Sequence, residues 1–468
     1  MNHLIRTQVI ELRVSNEEGA FAIQQQVRDL FYRVLLSVLE KAFDEISSDV
    51  NVIRLDRLEI DLGKVSIKDI ETLDLTESFR EKIKGQISAF VLSPHKTRKS
   101  TRTLRLNIVE QWMYYMEHGF LPWNTIETNS DWYRQVLEGF ACDSTSIEML
   151  RKVIATDARA VQRIVLLHLH EFLIHLTEAL TSEKQIDLDR TITTIQKVLV
   201  EAGKQTEAIR FKRNIWQEIL VVVCRENRLS SLQIIQRVIP VQLKESEIVS
   251  LRANRHYAAD LIDVILETKV SDEKSAAQDH LAKEIQPLPL EPASQGKAKL
   301  PDEGLFVLHA GLVLLHPFLF NLFNYIGLLE GKNFKSHDHQ RKALAVLHFL
   351  STGTLTFEEH ELVVAKMLCN YSLEDPVDPE IELSEDEQSE CEALLKEVIA
   401  RWSILKNTSP DTLRANFLQR GGKLYTIANE PHLLIESNML DVLLDHLPWG
   451  VGIIKLPWMK QMLKVEWR

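Results

Sequence analysis

The chain has 468 residues, 45% of them apolar, which is ordinary for a soluble globular protein of two or three domains. Its 55 Lys and Arg against 67 Asp and Glu give a net charge of −12, which argues against a nucleic-acid-coating role, because phosphate binding needs a basic surface. The four cysteines, Cys142, Cys224, Cys369 and Cys391, form no CxxC pair and no disulfide spacing, so they read as reduced, buried thiols.

The first residues, MNHLIRTQVIELRV, are interrupted by charge and lack the apolar core of a signal peptide, so synthesis and folding in the cytoplasm are expected. Residues 1–92 predict an α/β domain in the order strand, helix, strand, helix. Ile10, Leu12 and Val14 alternate with Glu11 and Arg13, the period of a half-buried strand. Ser15 and Glu18 form a capping box, and apolar residues at helical spacing from Ala20 to Ile46 predict one long amphipathic helix. A second strand over Ile53 to Leu62 changes parity near Asp56-Arg57, which predicts a bulge. The strand, helix, strand order predicts a parallel pair with an outer edge left for another strand or a partner subunit.

Ser93 to Arg105 carries Lys96, Arg98, Lys99, Arg102 and Arg105 with no acid, and reads as a short basic linker or a contact for an acidic partner. Residues 106–270 predict a helical middle region, divided at Pro122, Pro240, Gly119, Gly139 and Gly203. Residues 271–304 hold four of the fourteen prolines and read as a Pro-rich linker that lets the following domain sit in more than one place. An α+β domain over 305–468 is expected to fold on its own. The fold class is therefore α+β, mainly α.

The run Leu305 to Leu329 is long enough to cross a bilayer, yet it contains His309, His316, Pro317, Asn321 and Asn324, polar groups that need partners. A buried helical hairpin is expected over a membrane span. Further helices are expected at Gln340 to Leu350, Glu359 to Leu368, Ser384 to Leu405 with a Ser384/Glu387 capping box, and Asp411 to Leu418. A hairpin of Lys423 to Ala428 and Leu433 to Glu436 turns at Asn429-Glu430-Pro431, and a helix near Leu440 to Leu447 leads to a third strand at Val451 to Leu456.

Catalytic and metal patterns are not met. His168, His170 and His175 suggest zinc, but the last two are five apart, about 140° out of phase on a helix, and lack a third ligand. His337-Asp338-His339 reads as a polar loop. Cys369 with His360 could be drawn as nucleophile and base, but a thiol at the end of an apolar helix reads as structural. Glu374 to Glu392 contains ten carboxylates and no basic residue; it reads as a solvated face, with the basic stretch Lys96 to Arg105 as a complement. No catalytic residue, metal ligand or cofactor site is expected, and no enzyme.

The end of the chain carries a doubled motif, Leu447-Pro448-Trp449 and Leu456-Pro457-Trp458-Met459. A large aromatic behind a fixed proline is a core plug or an interface anchor. Trp449, Trp458, Pro448 and Pro457, with Arg420 at the end of SPDTLRANFLQRG, are the candidate partner-binding residues.

Together with the apolar run from Leu305, Lys366-Met367-Leu368-Cys369, Trp402, Ile5 to Val14 and the stretch Ile53 to Gly63, these motifs resemble the contractile injection system tape measure family. The resemblance implies a structural component of a phage-tail-like particle. Its role would be to set tube length during assembly or, alternatively, to act as a globular assembly factor or adaptor docking tube, baseplate or cargo. The implied partners are tube, baseplate or spike proteins and further copies of itself, with no nucleic acid and no stable membrane insertion. The implied location is the cytoplasm during assembly and then the particle.

Overall fold

The computed structural model describes residues 3–5, 8–14, 20–46, 51–53, 55, 57–65, 75–91, 101–125, 128–226, 228–253, 304–405 and 407–467. The chain divides into two compact units, one of Met1–Glu110 with Ile126–Gly139 and one of Gln111–Thr125 with Phe140–Arg468. The fold is mainly α, with β structure concentrated near the C-terminus.

In the first unit, helices α1 (Ala20–Leu30) and α2 (Leu36–Ile46) are joined by a π-helical turn over Phe31–Leu35 and pack against α3 (Leu75–Val91). The apolar stripe read from the sequence is the core: Leu30, Phe31, Leu35, Val38, Leu39 and Ala42 bury against Phe79, Ile83 and Ile87. The strand pattern is corrected. Residues 8–14 belong to no ladder among the described residues, and β1 (Asn51–Ile53) pairs antiparallel with β2 (Thr101–Thr103) rather than parallel with Ile10–Val14. Alternation marks an extended segment but does not choose its partner, and here the β-branched threonines after α3 supply it. The end of the basic stretch is thus strand and then helix, because α4 (Leu104–His118) starts directly after β2. The Ser15/Glu18 capping box, Asp56 of the bulge and Lys96 to Lys99 lie outside the described residues.

The helical middle comprises α5 (Ser130–Cys142), α6 (Ser144–Thr156), α7 (Ala158–Leu167), α8 (His170–Thr181), α9 (Ile186–Glu201), α10 (Gln205–Arg225), α11 (Ser231–Gln242) and α12 (Glu245–Ala253). Its divisions are set by caps more than by breakers. Asp143 accepts from Ser146 N, Asp157 from Arg159 N and Ala160 N, and Ser230 and Gln233 form a capping box. Gly119 and Gly203 take positive φ between helices, whereas Gly139 and Pro240 lie inside α5 and α11, against expectation. Pro240 sits in the last turn of α11, so the bond it cannot donate is lost near the helix end, with only Val241 and Gln242 following in the helix.

The apolar run after Gly304 is not a helical hairpin. It splits into β3 (Leu305–Val307), a 3-10 segment (Ala310–Leu315), α13 (His316–Tyr325) with Pro317 in its first turn, and the start of a small hairpin, β4 (Leu329–Glu330) with β5 (Asn333–Phe334). A uniformly apolar run cannot by itself separate a buried strand from a buried helix. Gly311 is required where it stands, since a Cβ there would lie 1.7 Å from the Phe417 carbonyl oxygen.

Next come α14 (His337–Thr352), a 3-10 turn (Glu359–Leu362) running into α15 (Val363–Leu368), α16 (Glu385–Arg401) with the expected Ser384/Glu387 capping box, and α17 (Pro410–Leu413), which continues as a π turn (Arg414–Leu418). The hairpin is present as β6 (Gly422–Ile427) and β7 (Glu430–Ile435), but it turns at Ala428-Asn429, both with positive φ, and Pro431 lies in the strand. The helix near Leu440 is a 3-10 segment over Met439–His446. The third strand shrinks to β8 (Ile453–Ile454), and β9 (Leu463–Glu466) was not anticipated. The five strands lie in the order β3-β6-β7-β9-β8, antiparallel except for β7 with β9.

Candidate functional site

The doubled Leu-Pro-Trp motif brackets β8, and its two tryptophans serve different neighbourhoods. Trp458 is buried among Phe320, Phe323 and Phe334, and its Nε1 donates to the Leu368 carbonyl at 2.8 Å. Trp449 is half-buried, edge-on to Phe318 at 5.1 Å, with Nε1 donating to the Leu314 carbonyl at 3.0 Å. Both indole N–H groups are thus satisfied by the chain itself, while Pro448 and Pro457 face solvent. Arg420 is buried; it donates to Asp441 at 3.0 Å and to the Asn416 carbonyl at 2.6 Å. It pins the 3-10 segment on which Met439, 93% exposed, and Val442 stand in solvent.

Trp458 also borders a cleft of about 290 Å³ lined by Ser336, His337, Gln340, Cys369 and Asn370. Because the ring is packed on one side and cleft-facing on the other, Trp458→Ala is expected to destabilise the folded chain by about 3 kcal/mol, the low end for a buried aromatic. Thermal melting checks this, and an unchanged midpoint would move Trp458 from packing to partner binding.

The dominant electrostatic feature went unseen in the sequence. Arg163 on α7 and Lys366 on α15 both meet Glu359, and none of the three side chains is more than 1% exposed. Arg163 Nε donates to Glu359 Oε2 at 2.9 Å and Lys366 Nζ to Oε1 at 2.6 Å. The remaining donors reach main-chain carbonyls: Arg163 to Met116 and Glu374, Lys366 to Leu373 and Asp375. Burial pulls the Lys366 ammonium below its ordinary range, and Glu359 opposes that. Gly119 is needed here, because a Cβ would lie 2.7 Å from Glu359 Oε1. No spacing rule links Arg163 to Glu359; only the fold does.

The acidic stretch is not simply a solvated face. Arg159 pairs with Glu374 and Asp375, Arg213 with Asp378 and Glu380, and Lys342 with Glu387. Arg414, in the π turn after α17, pairs with Glu392, so among the described residues its cations come from the helical middle, α14 and that turn.

The histidines are dispersed. His168 ends α7 and His170 begins α8, so HLHEFLIH is not one helix. His168 is buried, accepts from Trp112 Nε1 at 3.0 Å and bonds the Ile164 carbonyl; burial holds its pKa down to about 4. His170 meets Asp189 at 2.8 Å, and His175 is exposed beside Glu178. His337-Asp338-His339 forms the first turn of α14 rather than a loop, with His337 stacked on Tyr371. Cys369 is buried, and desolvation pushes its thiol far above the ordinary range, as it pushes Cys391 up to about 12. Cys224 is half-buried and Cys142 exposed, which corrects the expectation of four buried thiols.

His309 is a polar residue within the apolar run. It sits in the left-handed region at φ 55°, buried, with neither ring nitrogen hydrogen-bonded, its ring 5.7 Å from that of His348. Among the described residues no group of three or more His, Cys, Asp or Glu could hold a metal ion, and no helix is long and apolar enough to cross a membrane.

Comparison with curated proteins and with solved structures finds no match. A family model described as contractile injection system tape measure protein matches residues 2–467, in agreement with the motifs at both ends, and the chain belongs to that family.

Proposed function

We propose that the chain is a non-enzymatic structural subunit that sets tube length while an injection particle assembles, with the unit of residues 111–125 and 140–468 as its folded anchor. The observation that carries the reading is the family match over residues 2–467, nearly the whole of the chain. Support also comes from the reactive side chains. The Cys369 thiol is buried and held protonated, and Lys366 is saturated by Glu359 and two carbonyls. The partners in this reading are tube, baseplate or spike proteins, met in the cytoplasm during assembly, without nucleic acid or stable membrane insertion.

A second reading, a globular adaptor docking tube, baseplate or cargo, is favoured by the compactness of that unit. All 468 residues as one helix would span about 700 Å at ~1.5 Å per residue, whereas the longest described α-helix, α10 with 21 residues, spans about 32 Å. A ruler must therefore open out. Removing about 30 residues within Ser271–Gly304 spares the described core and separates the readings by electron microscopy. A ruler gives uniformly shorter tubes, by about 45 Å if that stretch is measured out at helical rise. Tubes of unchanged length with missing or unloaded particles would establish the adaptor and overturn the ruler.

A further inference from the structure

Among the described residues the N-terminal unit holds two segments with alternating apolar and charged residues that belong to no sheet. In Gln8–Val14 every residue is exposed, including Ile10 at 44%, Leu12 at 42% and Val14 at 42%, and no backbone hydrogen bond among the described residues involves it. In Arg57–Leu62 exposure alternates residue by residue, with Leu58, Ile60 and Leu62 lying on the helical cluster of α1, α2 and α3 and Arg57, Glu59 and Asp61 facing solvent. That is the exposure pattern of a strand, and among the described residues no other strand pairs with it, Lys82 Nζ donating to the Asp61 carbonyl at 2.6 Å. Open backbone of this kind, flanked by alternating apolar residues, is a template for strand addition.

The two segments fit one another. A parallel register that sets Leu12 beside Leu58 and Val14 beside Ile60 also sets Glu11 beside Arg57 and Arg13 beside Glu59. Both apolar rows then share a face, and both charge pairs are of opposite sign. Among the described residues no ladder uses this match. Leu58, Ile60 and Leu62 pack on the cluster, while Ile10, Leu12 and Val14 keep 42–44% of their surface exposed. We propose that Gln8–Val14 of one copy adds as a strand to Arg57–Leu62 of a second copy, and reciprocally, so that the chain dimerises by strand exchange through its N-terminal unit.

The test uses the full chain and two charge-reversed forms: a donor form, Glu11→Arg with Arg13→Glu, and an acceptor form, Arg57→Glu with Glu59→Arg. All four side chains are exposed, and the acceptor form keeps its own pair of opposite charges, which stand 3.2 Å apart in the native chain. Sedimentation at tens of micromolar is expected to show a dimer for the native chain. Each form alone should dimerise at least about tenfold more weakly, since two complementary pairs per exchanged strand become like-charge pairs. An equimolar mixture of the two forms should recover the native affinity, because each donor then meets a complementary acceptor on the other copy. Helical circular dichroism at native strength in both forms shows that the loss is one of association. The proposal is overturned by a native chain that stays monomeric, by a single form that dimerises normally, or by a mixture that fails to recover, the last being the signature of pairing within one copy.

Discussion

Glu359→Ala is expected to destabilise the unit of residues 111–125 and 140–468 by about 3 to 5 kcal/mol, the usual consequence of stranding buried charge. The substitution leaves the Arg163 guanidinium and the Lys366 ammonium facing each other across the space the carboxylate occupied, each still tied to main-chain carbonyls and neither reachable by water. Replacing all three together, Arg163→Met, Glu359→Leu and Lys366→Met, is expected to recover most of that loss, because an apolar trio of similar volume avoids the desolvation of three charges. Denaturant titrations of the native chain, the single variant and the triple variant measure both effects. If the single variant is as stable as the native chain, the cluster is not acting as a buried charge lock. By the same argument, residues 304–468 expressed alone are expected to melt well below the full chain, since Arg163 stays behind on α7 while Glu359 and Lys366 lose their cover.

Acid is expected to weaken the chain well above the range in which carboxylates titrate. Burial holds His168 and His309 down to about 4 in the folded protein, whereas an unfolded histidine titrates near 6.5. The unfolded chain therefore binds more protons between those values. The stability that the neutral imidazoles contribute is fully present above pH 6.5 and drains away as pH falls toward 4. Each group accounts for about 2 kcal/mol by pH 5 and about 3 kcal/mol by pH 4. His316 and His348, also lowered by burial, act in the same direction. His309→Asn, an exchange that the left-handed backbone tolerates, should reduce the loss between pH 7.5 and 5 by about 2 kcal/mol. An identical loss in the variant would mean that His309 is already protonated in the folded chain.

What the sequence made legible was local. The stripe from Ala20 to Ile46, the Ser384/Glu387 box, and the β6 and β7 strands rest on periodicity and capping chemistry that need only a few neighbouring residues. What it hid was distant pairing. The Gln8–Val14 segment reads as a strand by alternation, yet a partner is not encoded in its own pattern, and β3 with β6 joins residues more than a hundred positions apart. The candidate site divides in the same way. A proline-fixed tryptophan announced a rigid aromatic, but whether Trp458 faced inward depended on Phe320, Phe323 and Phe334 being beside it. Arg163 and Glu359 have no sequence relation at all, and each alone reads as an ordinary surface charge.

The position of β9 within its sheet bears on the order of events when the protein is made. β9 lies between β7 and β8, so β8 has no ladder to join until residues 463–466 are in place. β3 is synthesised some 150 residues earlier and must wait for β6. Closure of the sheet is therefore a late, long-range step, which slows folding relative to the helical middle. During that interval the edge of β7 at His432–Leu434 and the buried Ile454 of β8 lack the strand that lies between them. A pause in translation before Leu463, or a chain ending there, should leave this surface open to aggregation or to capture by a chaperone while the helices upstream are already formed.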